Sequence, residues 1–175
     1  MKPKTLCVSP IDFETLKNLK AGERILLTGT IYTARDAAHK RLHNLMQQSA
    51  VLPFELKDAA IYYAGPTPAK KSQIVGAIGP TTSARMDVFT PELLKNGVKI
   101  TIGKGDRAPE VALACKEYGS IYLCALGGAG ALYSKCVKSC EVVAFDDLGC
   151  ESIKKLQVQD FPLIVGIDYF GNAFQ

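Results

Sequence analysis

A chain of 175 residues and 18.9 kDa is one domain's worth, long enough to bury roughly two thirds of the surface its unfolded form exposes. Hydrophobic residues at 47% and charged residues at 22% exclude a disordered or fibrous protein, and a mean hydropathy of +0.08 fits a filled core. The net charge of +4, from 21 basic and 17 acidic residues with the basic ones mostly scattered singly, is too small an excess to indicate nucleic acid. The longest apolar runs, such as Ile121 to Leu126 and Leu163 to Ile167, fall far short of the roughly 20 residues of a membrane span, so no membrane is expected either. Met1-Lys2-Pro3-Lys4-Thr5 is basic and leads to Ser9-Pro10-Ile11-Asp12 rather than to an apolar stretch, which argues against a secretory signal and for the cytoplasm.

Along the chain, residues 1–20 read as a candidate peripheral arm of a single domain covering 1–175. Arg24 to Ile31 is the first predicted strand, followed by a helix at Asp36 to Gln48. In that helix Ala38, Leu42, Leu45 and Met46 form one stripe, with Asp36, Lys40, Asn44 and Gln47 outside it. Further strands are predicted at Ala59 to Tyr63, Ile74 to Ile78, Val98 to Ile102, Ile121 to Leu126, Glu141 to Phe145 and Leu163 to Ile167. Thr90-Pro91-Glu92 and Ala108-Pro109-Glu110 open two helices that Gly97 and Gly119 close, because proline and an acid suit a first helical turn. Asp147 to Gln157 and Gly128 to Cys136 are two more helical candidates. Short apolar strands alternating with amphipathic helices are the rhythm of an α/β domain.

Three loops collect small, hydroxylated and cationic residues at strand ends. In Thr28-Gly29-Thr30-Ile31-Tyr32-Thr33-Ala34-Arg35-Asp36-Ala37-Ala38-His39-Lys40 a strand passes straight into a helix, so Arg35 lies near a helix N-terminus, where free amides favour an anion. The competing reading has Thr33 as the cap and Arg35 as a solvated charge. Gly79-Pro80-Thr81-Thr82-Ser83-Ala84-Arg85-Met86-Asp87 offers three hydroxyls and a guanidinium fork to a carboxylate or phosphate, or else is a capped short helix. Ile102-Gly103-Lys104-Gly105-Asp106 lets backbone approach a ligand while Lys104 supplies a point charge, or is a plain glycine turn.

Other motifs fail on spacing. Gly103-Lys104 lacks the Ser/Thr and upstream glycine of a P-loop, and the third glycine of a dinucleotide loop starting at Gly128 would fall on Tyr133. His39 and His43 share a helical face, but Lys40 replaces the glutamate of a zinc-protease pattern. The six cysteines, Cys7, Cys115, Cys124, Cys136, Cys140 and Cys150, include no Cys-x-x-Cys pair and read as reduced thiols with no metal site.

Four ordered motifs nevertheless make a specific pattern. Gly29-Thr30-Ile31-Tyr32-Thr33-Ala34-Arg35-Asp36-Ala37-Ala38-His39-Lys40-Arg41, Ile61-Tyr62-Tyr63-Ala64-Gly65-Pro66, the Gly79 to Asp87 loop and Ile102-Gly103-Lys104-Gly105 resemble the iron-sulfur-dependent (class I) fumarate hydratase and L-tartrate dehydratase family. Gly127-Gly128-Ala129-Gly130-Ala131 and Phe161-Pro162-Leu163-Ile164-Val165-Gly166-Ile167-Asp168 extend the likeness, which runs from about Ala21 to the C-terminus. The resemblance is to the family's C-terminal domain or separate β subunit. It implies a swivelling β/β/α domain, that is, an α/β fold with a mixed, largely parallel sheet and helices. It also implies a hydro-lyase that adds or removes water on a four-carbon dicarboxylate with a 4Fe-4S cluster held by the α part. A chain that begins at Met1 and covers the β part alone implies a split-subunit form, with an α subunit as partner in an α2β2 heterotetramer.

Carried over residue by residue, the resemblance makes Arg35 and Arg85 clamps for substrate carboxylates and Lys104 a further substrate contact. Thr81 becomes the proton-transfer residue. Thr82, next to it, is a further candidate for substrate binding, and Asp36, His39 and Asp87 are candidate helpers that orient the others. The residue chemistry agrees on the arginines, because a planar dicarboxylate suits two guanidinium forks. An aliphatic hydroxyl is a poor base near neutral pH unless a cation such as Lys104 or a relay to a carboxylate lowers its pKa. A non-catalytic partner-binding subunit and a phosphate- or nucleotide-binding module are the alternatives.

Overall fold

In the computed structural model, which describes residues 2–174, the short apolar segments pair edge to edge as one seven-stranded sheet. In chain order the elements are β1 (Lys4–Cys7), α1 (Phe13–Asn18), β2 (Arg24–Thr33), α2 (Asp36–Gln47), β3 (Ala60–Tyr62) and α3 (Thr90–Lys95). They continue with β4 (Ile100–Gly103), α4 (Pro109–Tyr118), β5 (Ile121–Cys124), α5 (Gly130–Cys136), β6 (Val137–Ala144) and β7 (Ile153–Ile167). Single 3-10 turns occupy Ser83–Met86 and Asp146–Glu151. Spatial order is β1-β2-β3-β4-β5-β7-β6, with β1 to β5 parallel and β7 antiparallel to its neighbours. The long β7 also pairs with β2, which closes β2, β3, β4, β5 and β7 into a ring. The α/β class is the one expected from the strand and helix rhythm, and the mixed, mostly parallel sheet is the one that the resemblance implies.

Alternation along the strands separates two cores. Ile25, Leu27, Tyr62, Ile100, Ile102, Leu123 and Phe161 pack together on one side. Ile61, Tyr63 and Tyr122, one residue out of phase, face α2, α3 and α4 through Ala38, Leu42, Leu93, Leu94 and Val111. Of the candidate arm expected at residues 1–20, the described residues 2–20 lie at the sheet's edge and contribute to the core. β1 pairs in parallel with β2, and Leu6, Leu16 and Leu19 are buried. Asp12 caps α1 by accepting from the Thr15 amide at 3.0 Å.

Two predicted elements differ. Ile74 to Ile78 is not a strand: Ile78 donates to the Gly130 carbonyl, Thr67 donates to Ala77, and a methyl group at Gly76 would collide with the Thr67 carbonyl. The segment is therefore an irregular cover over the sheet end. The helix expected at Asp147 to Gln157 is instead the 3-10 turn followed by the start of β7. Gly149 at φ 59°, ψ −116° breaks any helix there, and Ile153, Leu156 and Val158 turn inward.

Beyond Tyr62 and Ile102 the carboxyl ends of β3 and β4 accept a third segment between them. Thr81 N donates to the Tyr63 carbonyl at 2.7 Å, Lys104 N donates to the Thr81 carbonyl at 3.3 Å, and Ser83 N donates to the Lys104 carbonyl at 2.9 Å. Beneath this insertion lies Arg107, whose side chain is 0% exposed. Its Nε donates to Asp87 Oδ1 at 2.6 Å, while Asp87 Oδ2 accepts from the Ala108 amide at the start of α4. The other guanidinium nitrogens donate to Thr90, Tyr63 and Thr101, and the group stacks 4.7 Å from the Tyr122 ring centroid. Burial alone would pull the Arg107 pKa down, but Tyr63 and Asp87 hold it above its ordinary value. Tyr122 completes the support, with its hydroxyl bonded to Ser83 Oγ and donating to the Gly105 carbonyl.

His39 sits in the second core between Tyr63 and Phe89. Its Nδ1–H donates to the Arg35 carbonyl at 2.9 Å, and Nε2 is buried without a partner. Burial, with a smaller contribution from the Arg107 charge, lowers its pKa from 6.5 to about 4.

Two expected outcomes test this packing. Asp87→Ala leaves Arg107 buried and uncompensated and should cost about 3–5 kcal/mol in urea denaturation; a loss below about 1 kcal/mol would contradict the ion pair's role. His39 binds its proton more readily in the unfolded chain, so the stability it allows is complete above pH 6.5 and is lost as pH falls toward 4. Between pH 7 and 5 the wild type should lose about 2 kcal/mol more than His39→Gln, which keeps a donor but does not titrate. Parallel losses in both proteins would show that His39 is not the titrating group.

Candidate active site

The three loops singled out in the sequence all lie at the carboxyl ends of the parallel strands β2, β3 and β4. Arg35 ends the β2 segment as the N-cap of α2, with extended backbone and no side-chain cap bond, so Thr33 is not the cap. Thr33 is buried and bonds to β7 instead, donating to the Ser152 carbonyl and accepting from the Lys154 amide. Asp36, first in the helix, adds an acid where the dipole favours one.

The side chain of Arg35 lies across Gly65. A methyl group there would be 2.9 Å from Arg35 Cδ and 3.1 Å from Nη1. Its Nε is 3.3 Å from Glu151 Oε1 and 3.9 Å from Asp36 Oδ2. From the 3-10 turn after Thr82, Arg85 Nη2 donates to the same Asp36 Oδ2 at 3.0 Å. The two guanidinium groups therefore meet over one shared carboxylate, with Arg35 28% and Arg85 50% exposed. Two forks this close, each open to solvent, can grip two carboxylates of one small dianion.

Thr81 and Lys104 join the group through backbone. Thr81 is 9% exposed and bonded on both sides, while Thr82 pairs in a parallel bridge with Lys104. Both Thr82 and Lys104 are exposed, and the Lys104 side chain runs beside Gly127, where an added methyl would stand 4.0 Å from Nζ. The structure thus brings Arg35, Asp36 and Arg85 together by side chain and Thr81, Thr82 and Lys104 by strand pairing. Asp87 and His39 act beneath the site. Asp87 spends both oxygens on Arg107 and the Ala108 amide, and His39 reaches Arg35 through its carbonyl.

Two contributors escape the sequence reading. Glu151 approaches Arg35 only because β2 and β7 pair with Thr33 opposite Lys154. Arg107 carries a usable signal: a cation just before the first turn of a helix opposes the dipole and needs a compensating partner.

The cysteines do not fit an iron-sulfur cluster. Cys7 and Cys150 are exposed, Cys115 is buried, and among the described residues no three His, Cys, Asp or Glu side chains converge as metal ligands. Burial pushes the Cys115 thiol up to about 12 and raises those of Cys124, Cys136 and Cys140. Among the described residues no helix is long and apolar enough to cross a membrane.

Comparison with known proteins adds the family. Residues 5–175 match the family model described as fumarase C-terminus. The chain is 41% identical over 164 residues to the putative L(+)-tartrate dehydratase subunit beta of Methanocaldococcus jannaschii, covering 90% of this chain and 84% of that protein. It is 37% identical over 175 residues to the L(+)-tartrate dehydratase subunit beta of Escherichia coli K12, covering 97% and 85%. With the aerobic class I fumarate hydratase of E. coli K12 the identity is 39% over 161 residues, covering 91% of this chain but only 29% of that longer protein. Matched along nearly its whole length by one family model and by separate β subunits, the chain belongs to the fumarase C-terminus family.

Proposed function

We propose that this chain is the β subunit of a two-subunit hydro-lyase that reversibly adds or removes water on a four-carbon dicarboxylate, from fumarate to malate or from tartrate to oxaloacetate. The observation that carries the reading is the meeting of Arg35 and Arg85 over Asp36, with Thr81 and Lys104 tied to the same strand ends. The relatives' names, fumarate hydratase and tartrate dehydratase subunit beta, supply the reaction class. In this reading the fold is the swivelling β/β/α domain and 1–175 is one unit. The enzyme works in the cytoplasm as an α2β2 heterotetramer, and the α subunit holds the 4Fe-4S cluster.

The chain's own part is binding and proton transfer. Arg35 and Arg85 take the two carboxylates, Thr82 adds a hydroxyl donor, and Lys104 contributes a further positive charge. Thr81 Oγ1, as the alkoxide, accepts the proton from the carbon next to the hydroxyl-bearing one; the hydroxyl leaves on the partner's side of the pocket with a proton taken up there, and Thr81 then returns its own proton to solvent, so that one water is lost in all. A nearby ammonium favours the alkoxide that this transfer requires, which is the service Lys104 would perform. A non-catalytic partner-binding subunit would give the two arginines no reason to converge. A phosphate- or nucleotide-binding module predicts binding of its ligand by this chain alone, whereas a dicarboxylate half-site predicts little without its partner.

In the complex with its α partner, Arg35→Lys and Arg85→Lys should each lower kcat/KM by roughly ten- to a hundredfold while the fold persists, since lysine keeps the charge and loses the fork. Wild-type kinetics in both variants would remove these residues from the site. Thr81→Ala should lower kcat with little change in substrate affinity, and isotope exchange at the proton-bearing carbon should slow in step. Exchange at the wild-type rate would show that another residue is the base.

A further inference from the structure

Arg35 is held differently from Arg85, and the difference lies in what faces its Nε. That nitrogen is buried and makes no hydrogen bond, yet the Glu151 carboxylate stands 3.3 Å away, with Asp36 farther off at 3.9 Å. Neither terminal nitrogen of Arg35 donates to a protein group among the described residues. The guanidinium is thus approached along its inner edge, and its outer edge is left for a ligand.

The placement of Glu151 is built into the sheet. Thr33, two residues before Arg35, pairs with Lys154 of β7 and fixes the Ser152 and Lys154 backbone through its hydroxyl. Lys154 Nζ then gathers the carbonyls of Gly149, Cys150 and Ser152, and Ser152 Oγ donates to Gly149, locking the turn that carries Glu151. Arg41 of α2 grips Asp147 at the far end of the same turn with two hydrogen bonds. Gly65 packs against the same side chain: a methyl group there would crowd Arg35 Cδ at 2.9 Å and Nη1 at 3.1 Å as well as the Cys150 carbonyl at 3.1 Å, so the absence of a side chain at residue 65 leaves the room that the arginine takes.

We propose that Glu151 is a positioning residue that, with Gly65, holds the Arg35 guanidinium by its Nε edge so that its two terminal nitrogens face a substrate carboxylate. The inner carboxylate fixes the plane of the fork, and the fork then meets the ligand end-on. Lysine could not substitute, because it has no second edge to be held by. The proposal rests on the dicarboxylate reading for its ligand, whereas the Glu151–Arg35 contact is testable without it.

The test uses chain labelled with 15N-arginine, free and in complex with its α partner. The Arg35 Nε–H resonance is identified by its loss in Arg35→Lys. In Glu151→Gln, which keeps the side chain's volume, it should shift and exchange with water about tenfold faster or more as the charge partner disappears. Gly65→Ala should move the same resonance by displacing the side chain. In the complex, Glu151→Gln should raise KM for the dicarboxylate about tenfold while kcat falls less than about threefold. An unchanged Nε–H signal in Glu151→Gln, or an unchanged KM in an active complex, overturns the proposal. A wild-type complex that turns over no dicarboxylate refutes the functional reading instead, and the Nε–H result still decides the positioning claim.

Discussion

The backbone of Thr81 is shared between two strands, and the site depends on that sharing. Its amide is bound by the carbonyl of Tyr63 and its carbonyl by the amide of Lys104, so one inserted residue fixes the spacing of the β3 and β4 ends. From that point the chain turns through Ser83–Met86 and delivers Arg85 to Asp36, while Lys104 follows directly from β4. The backbone that carries a hydroxyl and a cation is thus fixed by hydrogen bonds of the main chain alone. Such rigidity suits a site in which small displacements of reacting groups are costly in rate.

Arg107 and Asp87 make the insertion stable from below. Their buried ion pair is fully hydrogen-bonded, through Thr90, Tyr63 and Thr101 on one side and the Ala108 amide on the other. A buried pair supplied with such bonds offsets its desolvation, whereas either partner alone would not. The pair also links the Thr81 loop to the start of α4, which ties the loops after β3 and β4 together. Above it the charge pattern is different in kind: half-exposed arginines face half-exposed acids, an arrangement soft enough for an incoming carboxylate to share.

Much of this was legible in the sequence because local chemistry and global placement agree. Pro91 and Pro109 marked the starts of α3 and α4, Gly119 closed α4 in a left-handed conformation, and the Arg35 and Arg85 loops were visible as polar clusters after apolar strands. What escaped depends on long-range pairing. The 147–157 segment carries apolar residues at spacings that suit a helix, but β2 and β6 both pair with it and impose an extended chain. Ile74 to Ile78 has a strand's composition without a strand's neighbours. Glu151 has no local signature, since its meeting with Arg35 is set by the β2–β7 register. The roles proposed for Thr81 and Lys104 come from the resemblance, since residue type alone left them open.

The central claim is that these residues form half of a dicarboxylate site whose other half lies on a partner chain. Purifying this chain together with an α subunit under anaerobic conditions and following fumarate hydration and tartrate dehydration tests it most directly. The account predicts turnover of at least one of these acids by the assembled complex and none by either chain alone. Turnover of neither acid by an intact, cluster-loaded complex would contradict it.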